Sequence, residues 1–384
     1  MSDSSLARAK QPERPERPER SERSEKGAAT LLKALGPALV PGAAIVIGFL
    51  VGALFVWQQG KSPATAAHAV FDGAFNGREA FGRTLEKATP LVLTGLAIIM
   101  GLKAGLFNIG AQGQLIMGAV FSAYIGFRLH GVPAAIHIPL ALAVGALAGA
   151  APAAFAGFLK AKRNVHEVIT TIMLNSIIVG LADWLASRPW RSKTAAFSKT
   201  ATIESSAAIG RFGKLPLGFA VAIAVALVLS FVLAKTTFGF RLATVGGNRN
   251  AAHYAGVNVA STTIKAMALS GMLAGLGGAI ETLGVLGHYE QGTSSSLGFD
   301  GITIALLSKL NAKATIPSAI LIGAMRAADT KLQSNAHIEP EIVSVIVAVI
   351  LLFAAAPVLL KWITKRVEGD GEQHGLRLTS GWGS

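Results

Sequence analysis

Apolar runs close to the length of a membrane crossing recur from one end of this chain to the other. A bilayer's hydrocarbon core is about 30 Å thick and takes roughly 20 apolar residues to cross as a helix. Hydrophobic residues make up 52% of the 384 and charged residues only 15%, against about 25% charged in an average soluble domain. The fold expected is all-α and polytopic, with about ten transmembrane segments, some of them short or broken.

The segments read as Gly36–Trp57, Thr89–Leu106, Phe107–Arg128, Ala134–Leu159, Glu167–Ala186, Leu215–Ala234, Ile264–Leu286, Phe299–Leu310, Ile316–Ala327 and Ile342–Ile363. The eighth and ninth are too short to cross alone as regular helices. Gln58 to Lys87 reads as a loop with a short amphipathic helix near Ala80. An even count puts both termini on one side. Lys160, Lys162 and Arg163, and again Lys361, Lys365 and Arg366, place that side in the cytoplasm by the positive-inside rule. One loop runs against the rule: Ser187–Lys214 carries Arg188, Arg191, Lys193, Lys199, Arg211 and Lys214 against the single acid Glu204, yet the count places it outside. Long loops are weak topology signals, so its charge is expected to serve another purpose.

Residues 1–35 read as a disordered cytoplasmic tail, with Pro-Glu-Arg repeated three times from Pro12 to Arg20. Residues 36–366 form the membrane domain, and 367–384 a second cytoplasmic tail. The net charge of +14 does not point to nucleic acid, because the cations are spread over loops and tails with no stacking aromatics among them. The absence of cysteine excludes disulfides and thiolate chemistry.

Two Gly-interrupted stretches stand in the two halves: Gly105-Leu-Phe-Asn-Ile-Gly-Ala-Gln-Gly-Gln114 and Gly298-Phe-Asp-Gly301. Paired breaks in apolar segments point to a transport path, since freed backbone groups need a cavity or a protein partner. Asn108, Gln112, Gln114 and Asp300 are the pathway candidates, with Asn175 added as a central intramembrane polar residue. Capping of half-helices and bonding between helices are the competing roles. Asp183, Glu281, His288 and Glu290 lie near span ends, where water reaches them. Small residues recur every fourth position at Gly145, Gly149, Ala153 and Gly157, and at Gly271, Gly275 and Ala279. Such faces allow close helix packing, within one subunit or between two.

Three enzyme patterns fail. Phe55 stands where a phosphate loop ending in Gly60-Lys61-Ser62 needs its first glycine. Thr170 replaces the second histidine of a zinc motif begun by His166-Glu167, and Ile280 the third glycine after Gly275 and Gly277. No metal site or cofactor is expected, and a driving ATPase would be a separate chain.

Between the sixth and seventh segments, residues 236–262 form a polar stretch rich in Gly, Asn and Ala. It offers a short helix from Asn250 to Ala255 ended by Gly256, the shape of a docking handle on the membrane face. At this handle, at Phe107-Asn-Ile-Gly-Ala-Gln-Gly-Gln114, at Gly298-Phe-Asp-Gly301 and at Glu167-Val-Ile-Thr-Thr-Ile-Met-Leu-Asn175, the chain resembles permease subunits of bacterial ABC importers. The likeness spans about residues 88–330 and is to the nucleoside and simple-sugar branch, related to the ribose and branched-chain amino acid permeases. Members often carry Glu where this chain has Gln112.

The resemblance implies alternating access in the bacterial inner membrane, driven by a cytoplasmic ABC ATPase. Asn248, Arg249, Ala252, Tyr254 and Gly256 would make the coupling element, with Arg249 and Tyr254 in direct contact. It also implies a second permease subunit, identical or different, and an extracytoplasmic substrate-binding protein, which Arg188 and Arg191 would meet. Membrane lipid is the remaining partner. An ion-coupled secondary carrier, a branched-chain amino acid permease and an intramembrane enzyme acting on a lipid-linked substrate are the alternatives.

Overall fold

The computed structural model describes residues 41–193, 198–292, 296–339 and 341–355. The expected tails therefore lie outside the described residues, as does the end of the tenth segment. The helices are α1 (Pro41–Gln58), α2 (Pro63–Ala74), α3 (Arg78–Lys103), α4 (Ala111–Arg128), α5 (Ala134–Arg163), α6 (Glu167–Ser187), α7 (Leu217–Lys235), α8 (Thr237–Gly247), α9 (Arg249–Tyr254), α10 (Val259–Glu281), α11 (Leu297–Leu307), α12 (Thr315–Ala327), α13 (Asp329–Ala336) and α14 (Glu341–Ala355). A two-residue hairpin, Arg211–Phe212 with Leu215–Pro216, interrupts the loop before α7. Among the described residues six helices are long and apolar enough to cross a membrane: α1, α3, α5, α6, α7, and α10 with its π-turn extension to Leu286.

α3 is the axis. Its apolar window is 89% buried, against 22% for α1 and 28% for α7, so it meets protein on nearly every side. α10 is next, at 67%. α10 lies in a groove between α4 and α5, with glycine backbones and alanine methyls at the crossings of Gly145, Gly149, Gly271 and Gly275. A Cβ at Gly149 would stand 2.5 Å from the Gly271 carbonyl oxygen, and one at Gly275 would stand 2.6 Å from that of Gly145. On the other side, Gly118 of α4 meets the Gly275 backbone, and Gly278 meets that of Leu115. The small-residue faces therefore serve packing within this chain. Such contact gains dispersion from many atom pairs at once.

The main departure from the sequence reading is Gln58–Lys87. It is helical through α2 and the first turns of α3, so the short helix expected near Ala80 is the start of a 26-residue helix. Glu79, Arg83, Glu86 and Lys87 give this stretch the composition of a loop. Two of those charges are met from across the molecule. Arg211 Nη2 lies 2.6 Å from Glu86 Oε1, and Lys214 Nζ lies 2.7 Å from Glu79 Oε1. The same pairs account for part of the unexpected basicity of Ser187–Lys214.

That loop is ordered wherever it is described. Trp190 stacks on Tyr124 with ring centroids 4.4 Å apart and meets Phe121 edge-on. The backbone N–H groups of Thr200, Ile203 and Ile209 donate to the carbonyls of Tyr289, Gly287 and Leu283. The loop is thus tied to the far end of α10. α6 carries the chain from the handle end to this opposite end over 21 residues, a rise of about 30 Å.

Candidate functional site

α3 ends at Lys103, and the chain reverses before α4 starts at Ala111. The reversal closes with two bonds, from Leu106 N–H to the Gly101 carbonyl and from Gly105 N–H to that of Leu102, both 3.0 Å. Gly105 sits at φ +68°, the left-handed position that ends helices in this way. Beyond it the backbone is irregular inside the protein, and its polar groups need partners there.

Asn108 and Asn175 supply them. Asn108 Oδ1 accepts from Gly110 N–H at 3.0 Å. Asn175, on α6, accepts from Gly113 N–H at 2.9 Å through Oδ1 and donates Nδ2 to the Ile109 carbonyl at 3.0 Å. These bonds satisfy donors in the first turn of α4, whose N-cap, Gly110, has no side chain to do so. Asn108 and Gln114 pair reciprocally, Nδ2 to Oε1 at 2.8 Å and Nε2 to Oδ1 at 3.0 Å. Asn108 Nδ2 also reaches Ser270 Oγ of α10 at 2.8 Å, and Ser270 donates to the Ala97 carbonyl of α3 at 2.6 Å. Gln112 Oε1 accepts from Gly298 N–H at 2.8 Å, which ties the second broken stretch to the first.

Four of the pathway candidates therefore meet at one node, all of them buried. Asp300 lies one turn into α11, beside that node, and is ion-paired with Arg326 of α12. Arg326 also donates to Ser296 Oγ at 2.8 Å. Ser270 and Arg326 escaped the sequence reading. A lone serine on an apolar helix carries no pattern. A cation in an apolar segment beyond an intramembrane acid was the signal for Arg326.

The handle holds two helices. The first, α8, replaces the loop that the Gly, Asn and Ala content of the stretch suggested, and Leu242 and Val245 are both buried beneath it. α9 matches the expected short helix. Asn248 Oδ1 caps it by accepting from Ala251 N–H at 3.0 Å, and Gly256, at φ +75°, turns the chain out of it. Ala252 is fully buried, whereas Tyr254 is 90% exposed at the tip. Arg249 lines a cleft of about 650 Å³ with Lys160, Asn164, His253, Asn258 and Thr263. Arg188 and Arg191 are exposed at the opposite end, so the structure does not bring them near the handle or the node.

The chain matches the branched-chain amino acid transport system / permease component family over residues 81–356. It belongs to that family. This permease is 35% identical over 347 residues to the guanosine ABC transporter permease protein NupP of Bacillus subtilis, covering 89% of its own length and 99% of that relative. It is 31% identical to the nucleoside ABC transporter permease protein NupB of Lactococcus lactis, over 84% of its length and 92% of the relative's. The glucose ABC transporter permease protein TsgB13 of Haloferax volcanii is 28% identical over 82% of the chain and 86% of the relative. The permease is a multi-pass membrane protein and a transport component rather than an enzyme.

Replacing Asn175 by Leu keeps the bulk but strands the Ile109 carbonyl and the Gly113 N–H. Each buried orphan costs about 1–3 kcal/mol. The thermal unfolding midpoint of Asn175→Leu in detergent is expected to fall measurably below that of the parent. An unchanged midpoint would show that α4 does not depend on this cap.

Proposed function

We propose that this permease is one half of the pore of an ATP-driven importer that carries nucleosides across a bacterial inner membrane. The observation that carries this reading is the 35% identity to a guanosine permease along nearly the whole of that relative, with a second nucleoside permease at 31% beside it. A simple sugar is the second reading, favoured by the glucose permease relative.

In this proposal the chain crosses ten times, with residues 1–35 and 367–384 as cytoplasmic tails and 236–262 as the coupling loop. A cytoplasmic ABC ATPase grips the handle at Asn248, Arg249, Ala252, Tyr254 and Gly256, with Tyr254 and Arg249 in contact and Ala252 and Gly256 holding the shape. A second permease completes the pore among lipid, and an extracytoplasmic binding protein delivers the substrate. The path runs beside the node of Asn108, Gln112, Gln114 and Asn175 and past Asp300. The node amides hold the broken backbone, and the paired Asp300 presents polarity without net charge.

Gentle affinity purification from native membranes tests the assembly. Recovery of an ATPase with a phosphate loop together with a second permease is expected. Gly256→Pro, which removes the N–H that donates to the His253 carbonyl and forbids the positive φ, should insert normally and lose the ATPase. Retention of the ATPase by this variant would place docking elsewhere.

Opposite charges steer encounter between partners. The double variant with Arg188→Glu and Arg191→Glu is expected to slow binding-protein-dependent uptake at low salt, with the deficit narrowing as salt rises. Equal uptake at every salt concentration would remove these arginines from the docking surface.

A further inference from the structure

The C-terminal end of α8 touches the α3–α4 reversal by backbone alone. A Cβ at Gly105 would lie 3.2 Å from the Gly246 carbonyl oxygen and 3.3 Å from Gly246 Cα, and a Cβ at Gly246 would collide with the Lys103 carbonyl. Two main chains in such contact have no side chain between them to rearrange, so displacement of one is displacement of the other. Leu242 and Val245 clamp α8 from beneath, fully buried.

Three residues beyond Gly105, Asn108 joins the reversal to Gln114 of α4 and, through Ser270, to α10 and α3. Asn175 and Gln112 extend the same node to α6 and to the start of α11. The sequence from handle to pathway is therefore short: α8, the reversal, the first turn of α4, then Gly298 two residues before Asp300.

We propose that α8, residues 103–110 and the first turn of α4 move as one rigid body, and that Gly246, Gly105, Asn108 and Ser270 are positioning residues that transmit handle displacement to the pathway. This rests on the importer reading and adds a route for the force. The alternative is a contact that slides, so that α8 shifts against residues 103–110 and drives the pore through α7 and α10 alone. A rigid joint predicts that loosening the node lowers the substrate moved per ATP while leaving ATPase docking intact.

The natural absence of cysteine makes the test direct. Lys103 is exposed and a Cβ at Gly247 meets nothing within 4 Å, so the pair Lys103→Cys and Gly247→Cys takes spin labels without disturbing the contact. In the full complex with its ATPase, partner permease and binding protein, the distance between labels is expected to be the same with and without bound ATP. A distance that changes with ATP overturns the rigid joint.

The second arm is Ser270→Ala, which removes one buried hydroxyl and leaves Asn108 its bond to Gln114. We expect the complex to assemble and hydrolyse ATP, with substrate moved per ATP reduced about fivefold, the equivalent of one net hydrogen bond. An unchanged ratio of transport to hydrolysis overturns the role of the node. If the unmodified complex showed no ATP-dependent uptake, the importer reading itself would fail, and the two failures are told apart by that control.

Discussion

An irregular stretch of backbone inside a membrane protein survives only if its own neighbours complete its hydrogen bonds. In this permease that requirement falls on residues 104–110, where the chain reverses between α3 and α4. Asn108 and Asn175 meet it, one from within the stretch and one from α6. Asn108 and Asn175 hold the start of α4, and Asn108 reaches α10 through Ser270, while Gln112 separately binds the start of α11. Each carboxamide carries two N–H donors and a carbonyl acceptor on separate atoms, whereas a hydroxyl has one donor and its acceptor on the same oxygen and an aliphatic side chain has neither.

Around this node the packing is of another kind. α10 meets α4 and α5 through glycine backbones, where contact is close and no side chain can change rotamer. The two modes complement one another. Polar groups fix the register of the broken segments, and bare backbones hold the long helices as a block. Neither leaves slack between the elements it joins.

The broken stretches are plain in the sequence, since carboxamides inside apolar runs are costly unless they bind something, and glycines there weaken a helix. The sequence does not reveal that Gln112 of one stretch binds Gly298 of the other, because that pairing depends on how α3 positions α4 and α11. α9 is legible from Asn248 and Gly256, which mark its start and end. α8 is not, because its three glycines break the pattern and the buried pair Leu242 and Val245 is too short a signal to outweigh them. The start of α3 is hidden for a similar reason. Glu79 and Glu86 look like loop residues until Lys214 and Arg211 are seen to arrive from a hairpin far along the chain. Local composition reports solvent preference, and long-range ion pairs alter it. The family likeness rests on motifs at the node and the handle, where buried carboxamides and a capped short helix hold the backbone.

The most direct measurement is uptake into proteoliposomes holding the complete complex, with guanosine, glucose and leucine offered separately and ATP supplied to the ATPase side. ATP-dependent accumulation of guanosine, insensitive to collapse of proton and sodium gradients, and none of leucine is expected. Accumulation that follows an ion gradient without ATP, or that selects leucine, would contradict the proposed function.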